Sequence, residues 1–271
     1  MARTRPWEIS EELWEKVQPL IPAAPSHAKG GRPRMEDRQV FEEIVYVLRV
    51  GIQWNALPRE LGASSKVHDR FQEWEAKGLF KALWQAGLAE YGELAGIEWE
   101  WQSVDGVMTK APFGHPASGA NPTDRGKQGT KRSQLTEGAG IPLALVVARA
   151  NRHDVKLLVA TLDGLVIARP QPDEEHPQHL CLDAVYDAGW MHDEAQLRGY
   201  QDHIRSRGAE KQEKTLTPGY RACRWVVERT HAWLNRSRRL VVRWEKKTAN
   251  YLAFLQLACA QLIFSKILVF G

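Results

Sequence analysis

The chain has 271 residues, with 37 Lys and Arg against 33 Asp and Glu, and a formal charge of +4. A hydrophobic share of 43% and a charged share of 26% exclude wholesale disorder, and a chain of this length predicts roughly two domains. Cys181, Cys223 and Cys259 are too few and too irregularly spaced for a disulfide framework or a thiolate zinc site, so reduced thiols and a cytoplasmic location are expected.

Ile9, Leu13, Val17 and Leu20 recur at the spacing of one helix face, with Ser10 as a cap, which predicts a helix over 8–20. Residues 21–34 hold Pro22, Pro25, Pro33 and Gly30-Gly31 and read as a loop or arm. A second helix runs from Met35 to Val50 and stops at Gly51. Leu57 to Leu61, closed by Gly62, and a helix from Ser64-Ser65 to about Lys77 together have a helix-turn-helix arrangement. The second of these offers Lys66, His68 and Arg70 to phosphates and base edges, although a small bundle with a solvated face fits the same residues. Leu79 to Leu94 is a further helix, and the unit ends near residue 96.

Beyond it the pattern changes. Trp99 to Asp105 alternates like a strand, Gln134–Thr136 and Ile141–Ala148 read as a hairpin, and Val155–Ala168 reads as a helix. His179–Asp183 is a short buried strand, and Gln196–Ile204 a helix followed by a strand. Helices are expected over Arg221–Leu240 and Tyr251–Phe264. In the last, Gln256, Gln261 and Lys266 favour packing over a membrane span. Strands followed by helices give an α/β class.

Three acids stand out by position. Asp105 and Asp183 each end a strand, where α/β folds place their sites, and Glu228 interrupts a basic helix. Carboxylates converging from two strands and a helix can hold two divalent cations such as Mg²⁺. Singly, each acid also fits a turn cap or an i,i+4 ion pair. Residues 220–247 carry nine basic side chains against two acidic ones, a local excess larger than that of the whole chain. On a helix Arg221, Arg224, Glu228, His231 and Asn235 share a face. Arg125, Lys127, Lys131 and Arg132 form a second cluster, in a glycine-containing stretch that lets backbone approach a phosphate. His153 and Asp154 read as a strand end and helix cap, and His176 and His179 as surface residues. No Walker-type Gly-Lys-Ser/Thr, dinucleotide fingerprint or Gly-x-Ser-x-Gly elbow is found.

Further motifs follow one another in order. They are Gly31-Arg32-Pro33-Arg34, the run from Tyr46 to Trp54, Leu57-Pro58 and Arg70-Phe71-Gln72-Glu73-Trp74, then Val104-Asp105-Gly106 and the run from Asn121 to Lys127. Ala150-Asn151-Arg152-His153-Asp154, Asp183-Ala184-Val185-Tyr186-Asp187, Val227-Glu228-Arg229, Trp233-Leu234 and Arg238-Arg239-Leu240 complete the series. With these the chain resembles bacterial DDE transposases of the insertion-sequence-five family over nearly its whole length.

The resemblance implies an all-α, helix-turn-helix-like DNA-binding domain over residues 1–96 and an α/β ribonuclease-H-like catalytic domain over 97–271. It assigns Asp105, Asp183 and Glu228 as catalytic acids and ligands of two Mg²⁺ ions, with Mn²⁺ as substitute; Asp187 is the rival for the second place. Arg32, Arg34, Arg221, Arg224, Arg229, Arg236, Arg238, Arg239 and Arg243 join the two basic clusters as DNA contacts. Arg224 matches the family's helix signature, whereas Arg221 and Asn235 stand where the family has Tyr and Lys. The implied partners are double-stranded DNA, as terminal inverted repeats and target, and further copies of the chain in a dimer or larger synaptic assembly. The implied activity is cleavage at element ends and joining of the 3′-OH to target DNA. A catalytically silent repressor and a ribonuclease-H-type nuclease are the alternatives.

Overall fold

The computed structural model describes residues 8–24, 34–114, 116–205 and 225–270. Ser10 accepts from the Leu13 N–H at 3.2 Å and starts helix α1 (Glu11–Val17), which a 3₁₀ turn continues over Gln18–Leu20. Helix α2 (Asp37–Val50) buries Val40, Phe41, Ile44, Val45, Val47 and Leu48. It ends at Gly51, whose φ of +79° lets its N–H reach the Val47 carbonyl at 2.9 Å. Leu57–Leu61 does not form the expected first helix of a tight pair. A 3₁₀ turn over Trp54–Ala56 precedes it, and a five-residue segment containing Pro58 is too short to sustain a helix of its own. Helices α3 (Ser64–Ala76) and α4 (Leu79–Leu94) follow, with Phe71, Trp74, Phe80 and Trp84 buried.

Six strands make one mixed sheet: β1 (Trp101–Lys110), β2 (Gly119–Ala120), β3 (Gln128–Glu137), β4 (Pro142–Arg149), β5 (Gln178–Asp183) and β6 (Tyr200–Arg205). β3 pairs antiparallel with β1, β2 and β4, while β5 pairs parallel with both β1 and β6. β3 is far longer than the hairpin arm expected at Gln134–Thr136. Its polar centre is buried and bonded to neighbours: Lys131 to Asp154 at 2.7 Å, Arg132 to Asn235 at 2.9 Å, and Thr161 to Ser133 at 2.7 Å.

Among the described residues the remaining α-helices are α5 (Leu158–Asp163), α6 (Gly189–Leu197), α7 (Trp225–Leu234) and α8 (Thr248–Phe270). The helix expected to run to Ala168 ends at Asp163, before Gly164, and a 3₁₀ turn over Asp154–Leu157 replaces its start. The helix expected to reach Leu240 stops at Leu234, where the backbone bonding tightens from the Asn235 N–H on His231 to the i→i−3 bonds of Arg236 and Ser237; Arg238–Leu240 is a separate 3₁₀ turn.

α8 is long and apolar enough to cross a membrane, yet most of it is buried inside the fold. It packs along α4, and Trp54 and Phe71 stack on its Phe254 at 5.7 and 4.6 Å. Hydrogen bonds cross the same seam, from Trp84 to the Pro142 carbonyl at 3.1 Å and from Arg239 to the Ile52 carbonyl at 2.6 Å. One apolar core therefore runs from the N-terminal helices into the sheet. Two smaller expectations are corrected. His179 is half-buried, stacked on Trp101 at 4.2 Å with its Nδ1 2.9 Å from His203 Nε2. Cys181 is disulfide-bonded, since a sparse cysteine set excludes a framework but not one bridge; Cys259 is free and buried, and Cys223 lies outside the described residues.

Candidate active site

The parallel ladder between β1 and β5 pairs Trp101 with His179, Gln102 with Leu180 and Ser103 with Cys181. Asp105 and Asp183 each lie two residues beyond the last pair of this ladder; Asp183 ends β5 as expected, whereas β1 runs on to Lys110, so Asp105 sits within its strand and not at its end. Val104, Leu180 and Leu182 are buried and anchor both strands, so the acids emerge together at the carboxyl edge of β5. Asp183 accepts from the Ala184 N–H at 2.6 Å and opens a 3₁₀ turn over Ala184–Tyr186. Helix α7 lies against β1 through buried Val226 and Val227 and leaves Glu228 exposed.

Asp105 feels this company. Burial pushes its carboxyl up to about 6; a bond from the Gly106 N–H opposes the rise, and the charges of Glu228, Asp154 and Asp183 add to it. Asp154 reads as a cap from sequence, yet its carboxylate bears on Asp105 and packs on Gly106, where a Cβ would collide with its Oδ1. Glycine is required there by this close approach. Lys131 holds Asp154 at 2.7 Å and also donates to the Arg152 carbonyl at 2.8 Å. The signal is present in the sequence as a Gly directly after the strand acid, but its partner lies 48 positions away. Tyr186 is buried beneath the cluster, its phenol raised by burial and by Asp154, Asp105 and Asp183.

Asp187 takes another direction. Its Oδ1 lies 3.3 Å from His192 Nε2, whose Nδ1 lies 2.7 Å from Asp202 Oδ2, and these bonds raise the imidazole. His231, expected to project beside Glu228, is buried instead. Desolvation, with the charge of Arg132, pushes it down to about 3, so it packs as a neutral ring.

Among the described residues no three His, Cys, Asp or Glu side chains are drawn tightly enough to ring one ion. The donor chemistry nevertheless fits a hard divalent cation: the groups are oxygen donors, and the carboxylates of Glu228, Asp154 and Asp183 all bear on Asp105.

The basic side chains divide sharply. Arg34, Lys66, Arg125, Lys127, Arg236 and Arg238 are exposed, with Arg34 paired to Glu73 at 2.6 Å. Arg125 and Lys127 stand on the turn after Asn121, where Arg125 adopts a φ of +52°. His68 is half-buried against Trp54 at 4.8 Å, and burial lowers its pKa. Arg229 lies between the rings of Trp225 and Trp233 at 4.4 and 4.6 Å and donates to the Ala139 carbonyl at 2.6 Å.

Five expected DNA contacts are interior groups: Arg70, Lys131, Arg132, Arg239 and Arg243 are all buried. Arg70 pairs with Asp37 and Glu73, Lys131 with Asp154, and Arg239 with Glu245 at 2.6 Å. Arg132 reaches Asn235, and Arg243 donates to backbone carbonyls. Charge counted along a sequence does not distinguish a solvated cation from one that closes a buried network. Arg32, Arg221 and Arg224 lie outside the described residues.

With this geometry in view, the relatives are consistent. Residues 102–263 match the family described as "Transposase DDE domain", and residues 9–84 match "Putative transposase of IS4/5 family". A Burkholderia cepacia protein named "Putative transposase for insertion sequence element IS402" is 34% identical over 155 residues, 56% of this chain and 71% of that protein. A second from the same organism, "Insertion element IS402 uncharacterized 16.2 kDa protein", is 32% identical over 107 residues, 38% of this chain and 73% of that protein. Among solved structures, the pre-cleavage Mos1 transpososome is similar at 11% identity and a TM-score of 0.30, covering 90% of this chain and 82% of that one. That likeness is too low to carry weight. The match to the DDE domain over more than half of its length, with the IS402 relative, shows that the chain belongs to the DDE transposases of the IS4/5 family.

Proposed function

We propose that the chain cleaves the ends of its insertion sequence and joins the freed 3′-OH to target DNA, on a ribonuclease-H-like domain with Asp105, Asp183 and Glu228 as its catalytic acids. The carrying observation is that Asp105 and Asp183 leave the β1–β5 ladder two residues past its last pair, with Glu228, Asp154 and Asp183 all acting on Asp105. Two Mg²⁺ ions, or Mn²⁺ in their place, bound by these acids would supply activation of water and of the 3′-OH and neutralise charge on the transferring phosphate.

The chain's own groups do the positioning. Asp183 is fixed by its bond to the Ala184 N–H, Glu228 by the buried valines before it, and Asp154 by Lys131. We favour Asp183 over Asp187 because Asp187 is engaged with His192. Exposed Arg125, Lys127, Arg236 and Arg238, with Arg34 and Lys66 of the N-terminal region, would meet the DNA backbone. Arg32, Arg221 and Arg224 are carried to the same role by the family resemblance. The N-terminal helices would recognise the terminal repeats, and pairing two ends calls for at least a dimer.

The test uses DNA bearing the ends that flank the gene. Asp105→Asn and Glu228→Gln are expected to abolish Mg²⁺-dependent cleavage and joining while end binding persists. Undiminished cleavage in either variant would sink the assignment. A silent repressor would show end binding without cleavage in the wild type, and a nuclease would cut hybrids without footprinting the ends.

A further inference from the structure

Phe113 and Trp244 are exposed, 54% and 39% respectively, and face each other at 5.9 Å with ring planes 42° apart. They come from loops far apart in sequence that the fold joins: Lys110 bridges Val242, and the Arg243 N–H reaches the Lys110 carbonyl at 2.8 Å. Arg243 lies completely buried between the loops. Its guanidinium donates to the carbonyls of Pro116 at 3.0 Å, Ala117 at 3.1 Å, Glu245 at 3.1 Å and Lys246 at 3.2 Å, and to Thr248 Oγ1 at 3.1 Å. Ala117 is held at a φ of +59°, a conformation non-glycine residues seldom adopt. The fold thus fixes two loops rigidly and displays an aromatic pair on them.

The surroundings are cationic. Lys110 is 62% exposed at the end of β1, and Lys246 and Lys247 are exposed just past Trp244. Lys247 donates to Gln72 of α3 at 2.8 Å, linking this patch to the helix that carries Lys66. No acid occurs between Asp105 and Asp124, Asp124 is within 3.5 Å of Lys110, and Glu245 is buried against Arg239. Lys110 stands five residue steps along β1 from Asp105, about 17 Å at strand rise, which is about five steps of duplex DNA. A polyanion following the lysines to the carboxylates would pass over these rings.

Phosphates gain little from an aromatic face, and bases inside an intact duplex are already stacked. We propose that the Phe113–Trp244 pair is a stacking site for an unpaired base of the DNA led to the active site. An unpaired base arises where DNA is nicked or distorted, and its π-face stacks on an exposed ring whatever its sequence. This inference rests on the DNA-acting reading above and adds a residue-level site to it.

The test compares binding of the full chain to a fluorescein-labelled 20-nucleotide oligothymidylate and to an abasic oligonucleotide with the same phosphates, by anisotropy at fixed salt. The wild type is expected to prefer the base-bearing strand. Phe113→Ala with Trp244→Ala should weaken that strand roughly 5- to 100-fold and leave the abasic one unchanged. Lys246→Ala with Lys247→Ala should weaken both by one factor. Equal wild-type affinity for the two strands, or a preference that survives loss of both rings, overturns the stacking site alone. Loss of self-association in the ring variant, with the preference intact, would instead mark the pair as a contact between copies. Failure of the wild type to bind either strand overturns the stacking site, and the DNA-acting reading falls with it only if duplex DNA bearing the element ends is also left unbound.

Discussion

At the open edge of β1 and β5, Asp105 stands among Asp154, Asp183 and Glu228, and its charged form is disfavoured by burial and by three like charges. In the segment from Arg236 to Lys247 the buried cations meet the opposite treatment. Arg239 has Glu245 and the Ile52 carbonyl, and Arg243 donates to four carbonyls and two hydroxyls. Both regions look like functional charge in sequence. The cations are completed by the fold; of the acids, Asp154 has Lys131 and Asp183 the Ala184 N–H, and Asp105 is the one whose charge burial and its neighbours disfavour. Where a charge is satisfied it holds architecture together, and where an acid is buried among other acids it is a candidate for function.

The largest effect expected from this contrast concerns Arg239. Arg239→Leu leaves Glu245 buried without its partner and frees the Ile52 carbonyl, so it should cost about 3–5 kcal/mol. Arg239→Leu with Glu245→Leu should recover most of that loss, because no lone charge is left inside. Urea unfolding of the two variants measures both. A single variant as stable as the wild type would mean that the pair does not join the N-terminal helices to the C-terminal segment.

Glu43 sharpens the comparison as a buried carboxyl far from the site. Desolvation raises it to about 7; Gln39 donates to its Oε1 at 3.0 Å, and it fills the space beneath Gly62. The folded state holds this proton more tightly than the unfolded state, whose value is near 4.5. Its contribution is therefore complete below about pH 4.5 and is lost as pH rises through 7. Glu43→Gln should stabilise the chain by up to about 3 kcal/mol at pH 8, and the gain should vanish toward pH 4.5. Melts across that range decide it. A pH-independent gain would place the cost in packing.

Much of this was legible in the sequence because the signals were local. The apolar run ending at Asp183 marks a strand end and Gly51 a helix stop, whereas the alternation before Asp105 marks only the first half of β1, because the antiparallel pairing with β3 carries that strand on to Lys110. β3 was hidden for the opposite reason. Ahead of the arm read at Gln134–Thr136, Thr130, Lys131, Arg132 and Ser133 look like a solvated basic turn, yet all are buried. Lys131 and Arg132 meet partners 23 and 103 positions away, and no window along the chain can see them. The same long-range pairing concealed Asp154 as a neighbour of Asp105 and turned the Arg239 and Arg243 charges from surface to scaffold.

Asp105→Asn tests the unsatisfied side directly. Its folded carboxyl is raised, so the stability it costs grows as pH rises from about 4 through 6. The variant should be more stable than the wild type at pH 8 by about 1–2 kcal/mol, discounted for solvent at this half-open edge. Millimolar Mg²⁺ should raise the wild-type Tm and leave the variant nearly unmoved. A variant that loses stability, or responds to Mg²⁺ as the wild type does, would show that Asp105 is satisfied within the fold after all.

The smallest effect on stability belongs to the exposed cations. Arg125 and Lys127 project from a turn fixed by backbone: Asn121 N–H reaches the Lys127 carbonyl at 2.8 Å, and Thr123 donates to the Asn121 side chain at 2.9 Å. Replacing both with Ala removes charge without opening the interior, so unfolding should shift by no more than about 0.5 kcal/mol. DNA binding should weaken, and the slope of log affinity against log salt should fall by about 0.9 for each phosphate no longer neutralised. Arg243→Lys should do the reverse, destabilising the loops by removing hydrogen bonds while the salt slope stays put. If the slope instead changed with Arg243 and not with Arg125 and Lys127, the division between scaffold cations and DNA-facing cations would be drawn in the wrong place.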